Sequence, residues 1–186
     1  LKLCTSALVA LGFGRYIPAA AAGRTIKFPR QIITADSSTS RTIMWQADGG
    51  QQDAAFVLTA PNGNPEPYAP EANTLLQDAT TTTFYTVHLT GLTPGTHYEG
   101  TIRMADETVA LPIVTAASEV SAFEALLIDD SQCGETYAPF AKLLEKALAR
   151  NPQASFLADI GDLTDNGQSS WNWAIFLSVL TSGRAK

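Results

Sequence analysis

Ala154-Ser-Phe-Leu-Ala-Asp-Ile-Gly-Asp-Leu-Thr-Asp-Asn-Gly167 is an apolar run that breaks into an acidic, glycine-punctuated loop. Ser155 to Ile160 has the length and composition of a strand covered on both faces, and Asp162 follows directly where that strand ends. Open α/β folds place ligands and metals at the carboxyl ends of parallel strands, so this stretch bears on fold and chemistry together. Upstream, Phe123-Glu-Ala-Leu-Leu-Ile128 is a second such run, and it ends in the loop Asp129-Asp-Ser-Gln132. Between the two, Phe140, Leu143, Leu144, Ala147 and Leu148 fall at helical spacing within Tyr137 to Arg150. Asn151-Pro152 ends that helix, because the residue before a proline is pushed out of helical geometry. A very apolar, helix-like segment then runs from Trp171 to Leu180. The pattern predicts a βαβα segment over residues 123–186. Two parallel strands leave one sheet face and both edges uncovered, so the segment reads as the incomplete start of an α/β domain.

The preceding residues carry a different period. Thr42-Ile-Met-Trp-Gln46 and Tyr85-Thr-Val-His-Leu89 alternate, as half-buried strands do, and Ala55-Phe-Val-Leu-Thr59 leads into the turn-rich Pro61-Asn-Gly-Asn-Pro-Glu-Pro67. Tyr98 to Met104 and Thr108 to Thr115 complete a series of short strands at the spacing of an antiparallel sandwich. Val87-His-Leu-Thr-Gly-Leu-Thr-Pro-Gly-Thr-His-Tyr98 resembles the corner between two strands of a fibronectin type III-like domain. By that resemblance Leu92 plugs the core, Tyr98 tethers the corner and Trp45 is the core tryptophan. The sandwich is assigned to residues 25–117 and a polar linker to 118–122.

Residues 1–24 hold the short apolar run Leu3 to Phe13 followed by Tyr16-Ile-Pro-Ala-Ala-Ala-Ala-Gly23. The run is far shorter than the ~20 residues that span a bilayer, and small residues follow it, as in a secretory signal peptide. This predicts a secreted, periplasmic or cell-surface location and no stable membrane span. The 186-residue chain is 45% hydrophobic and 16% charged, with net charge −6. It has no basic stripe, so nucleic acid is not an expected partner. Its two cysteines, Cys4 and Cys133, build neither a disulfide framework nor a zinc-thiolate cluster. The two histidines, His88 and His97, lie in the sandwich half and read as surface residues.

Each predicted parallel strand delivers a carboxylate at its carboxyl end, Asp130 after the first and Asp162 after the second. Gln132 adds a neutral oxygen two residues past Asp130. Such oxygen-rich ligation suits a hard or borderline divalent cation. Gly161 and Gly167 are expected to let the backbone turn closely around the site. Asp165 reads as a loop-stabilising or capping residue, and Asn166 as a turn residue tolerant of left-handed geometry. Residues 162–167 also match part of an EF-hand calcium loop, but the position that needs glutamate is Trp173 and the entering segment is a strand, so that match fails.

Gly161-Asp-Leu-Thr-Asp-Asn-Gly167 resembles the second motif of the calcineurin-like metallophosphoesterases, and Asp130-Ser-Gln132 stands where their Asp-x-His motif belongs. The order of sandwich then βαβ resembles the purple acid phosphatase branch. The resemblance implies a phosphoric-ester hydrolase with two divalent or mixed-valence metal ions (Fe, Mn or Zn) and a phosphate-ester substrate. It implies that Asp162 bridges the two metals, that Asp130 binds one, and that a metal-activated hydroxide attacks phosphorus. Gln132 replaces the usual histidine, and Asp129 takes a place that is often glycine. The later Gly-Asn-His and histidine motifs are absent from the chain. An N-terminal part of a secreted phosphoesterase, inactive by itself, is therefore expected; the alternative is a non-catalytic sandwich binding module with a vestigial phosphoesterase segment.

Overall fold

The computed structural model describes residues 8–10, 25–134 and 136–182. Twelve strands and two helices follow in order: β1 (Leu8–Ala10), β2 (Lys27–Ile32), β3 (Arg41–Asp48), β4 (Ala54–Thr59), β5 (Pro65–Tyr68), β6 (Glu71–Gln77), β7 (Thr80–Leu89), β8 (His97–Met104), β9 (Glu107–Ala110), β10 (Ile113–Val114), β11 (Glu124–Ile128), α1 (Ala138–Arg150), β12 (Ala154–Asp159) and α2 (Ser170–Ser182). The result is mostly antiparallel sheet, arranged as a sandwich with two helices. The expected strands are present with their ends shifted by a few residues. Several features differ from expectation. The β5 strand begins inside the stretch read as a turn, and β2 and β6 are additional strands. The span Thr108 to Thr115 is two strands, because Pro112 has no N–H for a continuous ladder.

One sheet has the order β11-β12-β1-β2-β3-β7-β6 and the other β10-β8-β4-β5, with β9 also on β8. The inward residues of β3, β7, β4 and β8 form the sandwich core. Ile43, Trp45, Phe56 and Ile102 are completely buried there, and Trp45 stacks on Tyr85 with centroids 5.3 Å apart. Burying a large apolar side chain contributes about 1.5–3 kcal/mol, so this cluster dominates the stability of the half. Leu92 is buried, and the Thr93 N–H donates to the Tyr98 hydroxyl at 2.7 Å, as expected of a plug and a corner tether. A side chain at Gly100 would collide with the Leu111 carbonyl and the Phe56 ring, so β8 needs a glycine where the chain recrosses it.

Residues 117–124 are all exposed. Beyond them β11 and β12 pair in parallel, joined by α1. A second core gathers Phe140 and Leu144 from α1, Leu157 from β12, Phe176, Leu177 and Leu180 from α2, and Phe28 from β2, with Leu126 and Ile128 packed alongside. Phe28 reaches it through a bulge in β2 at a positive φ of 51°, while Ile26 just before it enters the sandwich core. Both helices therefore cover the same face of β11 and β12. On the other face Leu127 and Ile160 are 67% and 58% exposed. The prediction of two open sheet edges needs correction, because the backbone of β1 pairs with both β12 and β2. The rest of the expected signal peptide lies outside the described residues. No helix among them is long and apolar enough to cross a membrane.

Candidate metal-binding loops at the ends of β11 and β12

The two acidic loops leave adjacent strand ends. Ile128 pairs with Asp159, and the Ile160 N–H donates to the Ile128 carbonyl at 2.9 Å, so the strands stay in register until both turn away. Two of the three predicted ligands then share an uncommon backbone. Asp130 has φ 52° and Asp162 has φ 44°. Left-handed geometry costs an L-residue roughly 1–2 kcal/mol, and aspartate is among the residues that tolerate it. Strain of this kind collects at functional sites and is held there by surrounding contacts.

Those contacts are present. The Gln132 N–H donates to the Asp162 carbonyl at 3.0 Å, and its side-chain amide donates to Asp162 Oδ2 at 3.3 Å. Gln132 Oε1 is buried without a hydrogen-bond partner. The structure thus joins the Asp130-Ser-Gln132 loop to Asp162. At Gly161 a Cβ would lie 2.6 Å from Asp129 Oδ1, so a larger residue there would push that exposed carboxylate aside. Gly167 is not so constrained, since a Cβ there meets nothing within 4 Å.

Asp165 and Asn166 shape the loop. The Asp165 N–H donates to the Tyr137 hydroxyl at 3.2 Å. Asn166 is not in a left-handed conformation; its Oδ1 accepts from the Gln168 N–H at 2.9 Å, a local Asx turn that serves the same purpose. Neither Asp162 nor Asp165 caps the following helix, which begins at Ser170. Trp173 packs into the second core and donates its indole N–H to the Gly167 carbonyl at 2.9 Å. Trp171, by contrast, is 67% exposed.

Sequence reasoning missed three residues that hold these loops. Ser131 is buried and donates its hydroxyl to the Leu163 carbonyl at 3.3 Å. Tyr137 is fully buried and donates to the same carbonyl at 3.4 Å, and burial raises its pKa. Asp159 is 4% exposed, and neither carboxyl oxygen has a hydrogen-bond partner of ordinary geometry. Burial raises its pKa; Ser131 and the Gly161 amide offset part of that, while Asp129 and Asp130 add to it. Asp159 had one visible signal, as the sole charged residue within an apolar strand.

The donor set around Asp162 is oxygen-only. Among the described residues no three histidine, cysteine, aspartate or glutamate side chains gather as a group that could hold a metal ion. His88 bonds to Thr42 Oγ1 at 3.0 Å and His97 is exposed, both on sandwich strands. Elsewhere, a cleft of about 830 Å³ lies between α2 and the sheet, with Phe28, Phe84, Trp171 and Leu177 in its walls. Arg30 lines it too, its guanidinium lowered to about 10 by burial.

No protein-family model matches the chain, and no curated protein matches it. Among solved structures it is similar to the purple acid phosphatase PPD1 isolated from yellow lupin (Lupinus luteus) seeds, with TM-score 0.61 and 13% identity. The match covers 85% of this chain and 34% of that one, so the chain spans about a third of the phosphatase. Two weaker likenesses carry no argument. One is the carbohydrate binding module of the muscle glycogen-targeting subunit of Protein Phosphatase-1, with TM-score 0.39 and 12% identity over 60% of this chain and 95% of that one. The other is amylomaltase from Corynebacterium glutamicum, with TM-score 0.37 and 9% identity over 76% and 22%. At such identity the first likeness shows a shared fold over the matched part.

Proposed function

We propose that this chain carries the opening part of a secreted, metal-dependent phosphoesterase: a fibronectin type III-like sandwich and the first βαβα of an α/β metallophosphoesterase domain. The observation that carries the reading is the pair of left-handed aspartates, Asp130 and Asp162, at neighbouring parallel strand ends, tied through Gln132. Fold likeness to a purple acid phosphatase supports it. Asp130, Gln132 and Asp162 are the proposed metal-ligating residues, with Asp165 and Asn166 shaping the loop.

The residues present do not fit a complete two-metal centre. They offer oxygen donors alone, with no histidine near, and a borderline cation pair needs more ligands than these. This polypeptide is therefore proposed to hold one divalent cation weakly and to release no phosphate from an aryl phosphate with added Mn, Fe or Zn. Mn²⁺ titration followed by electron paramagnetic resonance tests the reading. One weak site, lost in Asp162→Ala and in Asp130→Ala, is expected; no binding, or binding unchanged in both variants, overturns it.

A second reading, a sandwich binding module, is favoured by the cleft beneath α2. It predicts ligand binding that survives Asp162→Ala and is lost when Trp171 and Phe84 are replaced by alanine.

A further inference from the structure

The turn between β6 and β7 reaches the start of α2. Gln77 pairs with Thr80, so Asp78 and Ala79 form the two-residue turn, both with positive φ, 51° and 58°. Such a turn ordinarily uses glycine or asparagine, and alanine there is strained. Contacts with Gln168 and with Ser170, the first residue of α2, accompany that strain. The Gln77 side-chain amide donates to the Gln168 carbonyl. Asp78 Oδ2 accepts from the Ser170 N–H at 3.0 Å and from its hydroxyl at 2.9 Å. Ninety-two positions separate these partners.

Helix α2 has little capping of its own. It has no acidic residue in its first turn, and the Ser169 hydroxyl accepts from the Asn172 N–H only at 3.3 Å. The first N–H groups of a helix have no intrahelical partners and carry partial positive charge, so a carboxylate there is stabilising. Asp78 supplies it from the other half of the molecule. The effect reaches the acidic loop, because α2 pins that loop's exit through Trp173 and the Gly167 carbonyl, and the Asn166 carbonyl accepts from the Ser169 N–H at 3.0 Å.

We propose that Asp78 is a positioning residue, which caps α2 from the sandwich and thereby fixes the Asp162 to Gly167 loop. The capping contact stands on geometry alone; its chemical consequence rests on the metal reading of Asp162. It also assigns the sandwich a task, as the support against which the ligand-bearing loop is set.

Amide hydrogen exchange on the full chain tests this. Asp78→Ala is expected to speed exchange across residues 162–173 roughly fivefold, the effect of losing a helix cap, with β3 and β7 unchanged. Asp78→Asn keeps an acceptor oxygen and should recover most of the protection. Ser170→Pro removes both donors from the helix side while leaving the hairpin intact, at a helix position that suits proline; the same rise is expected. Unchanged exchange at 162–173 in Asp78→Ala, or an equal rise in β3 and β7, overturns the proposal. Mn²⁺ titration of the same variants separates the two ideas. Weaker Mn²⁺ binding in Asp78→Ala, restored in Asp78→Asn, extends the positioning role to the metal, and unaltered affinity confines it to the loop. Failure of the unsubstituted chain to bind Mn²⁺ sinks the metal reading, and the exchange data still decide Asp78.

Discussion

The sandwich and the βαβα segment close their cores by different means. In the sandwich, two sheets bury each other's inward residues, and Ile43, Trp45, Phe56 and Ile102 are left with no exposure at all. In the second segment both helices lie on one face of β11 and β12, and the opposite face keeps Leu127 and Ile160 in solvent. Antiparallel sheets tolerate a wet face, whereas parallel strands are ordinarily covered on both. The first region has completed its layers; the second borrows β1, β2 and Phe28 to cover what it can.

Substitutions should separate the two regions by size of effect. Trp45→Ala empties the centre of the sandwich and should cost about 3–5 kcal/mol, read as a fall in the denaturation midpoint; a loss below half of that would mean the sandwich core is not the main source of stability. Asp159→Asn should act in the opposite direction and more weakly. The folded-state pKa of Asp159 is raised above its ordinary 3.8, first by burial. Folding therefore favours the protonated form, and stability falls as pH rises from the unfolded pKa through the raised folded one. The amide removes that charge while leaving a polar group in the same place, so Asp159→Asn should raise stability at pH 7 by the extra cost of burying the charged form, and the gain should vanish well below pH 3.8. Equal effects at acid and neutral pH would show that the carboxylate is not the cause. Leu127→Thr, on the open face, should stay within about 0.5 kcal/mol of the parent; a larger loss would mean that this face is covered in solution.

The helix over residues 138–150 was legible from five apolar positions at helical spacing, and the parallel strands from two continuous apolar runs. The candidate ligands were singled out for a simple reason: each carboxylate lies within three residues of the end of an apolar strand. The β6 strand was not legible. Its sequence, Glu-Ala-Asn-Thr-Leu-Leu-Gln, does not alternate, and it is a strand because β7 offers it a complete ladder. Tyr137 and Ser131 were equally silent, since their task is to meet Leu163, a partner some thirty positions away.

The sequence by itself determined what local pattern can encode: the change of period near residue 120, the strand ends that carry Asp130 and Asp162, and the corner built on Leu92 and Tyr98. Tertiary structure alone decided what depends on contacts between distant segments. It set the left-handed backbone of both aspartates, the burial of Asp159 and the cap that Asp78 supplies to α2. The physical reason is that periodicity reports which face of an element is apolar, while strain, desolvation and capping depend on which other element arrives at that place.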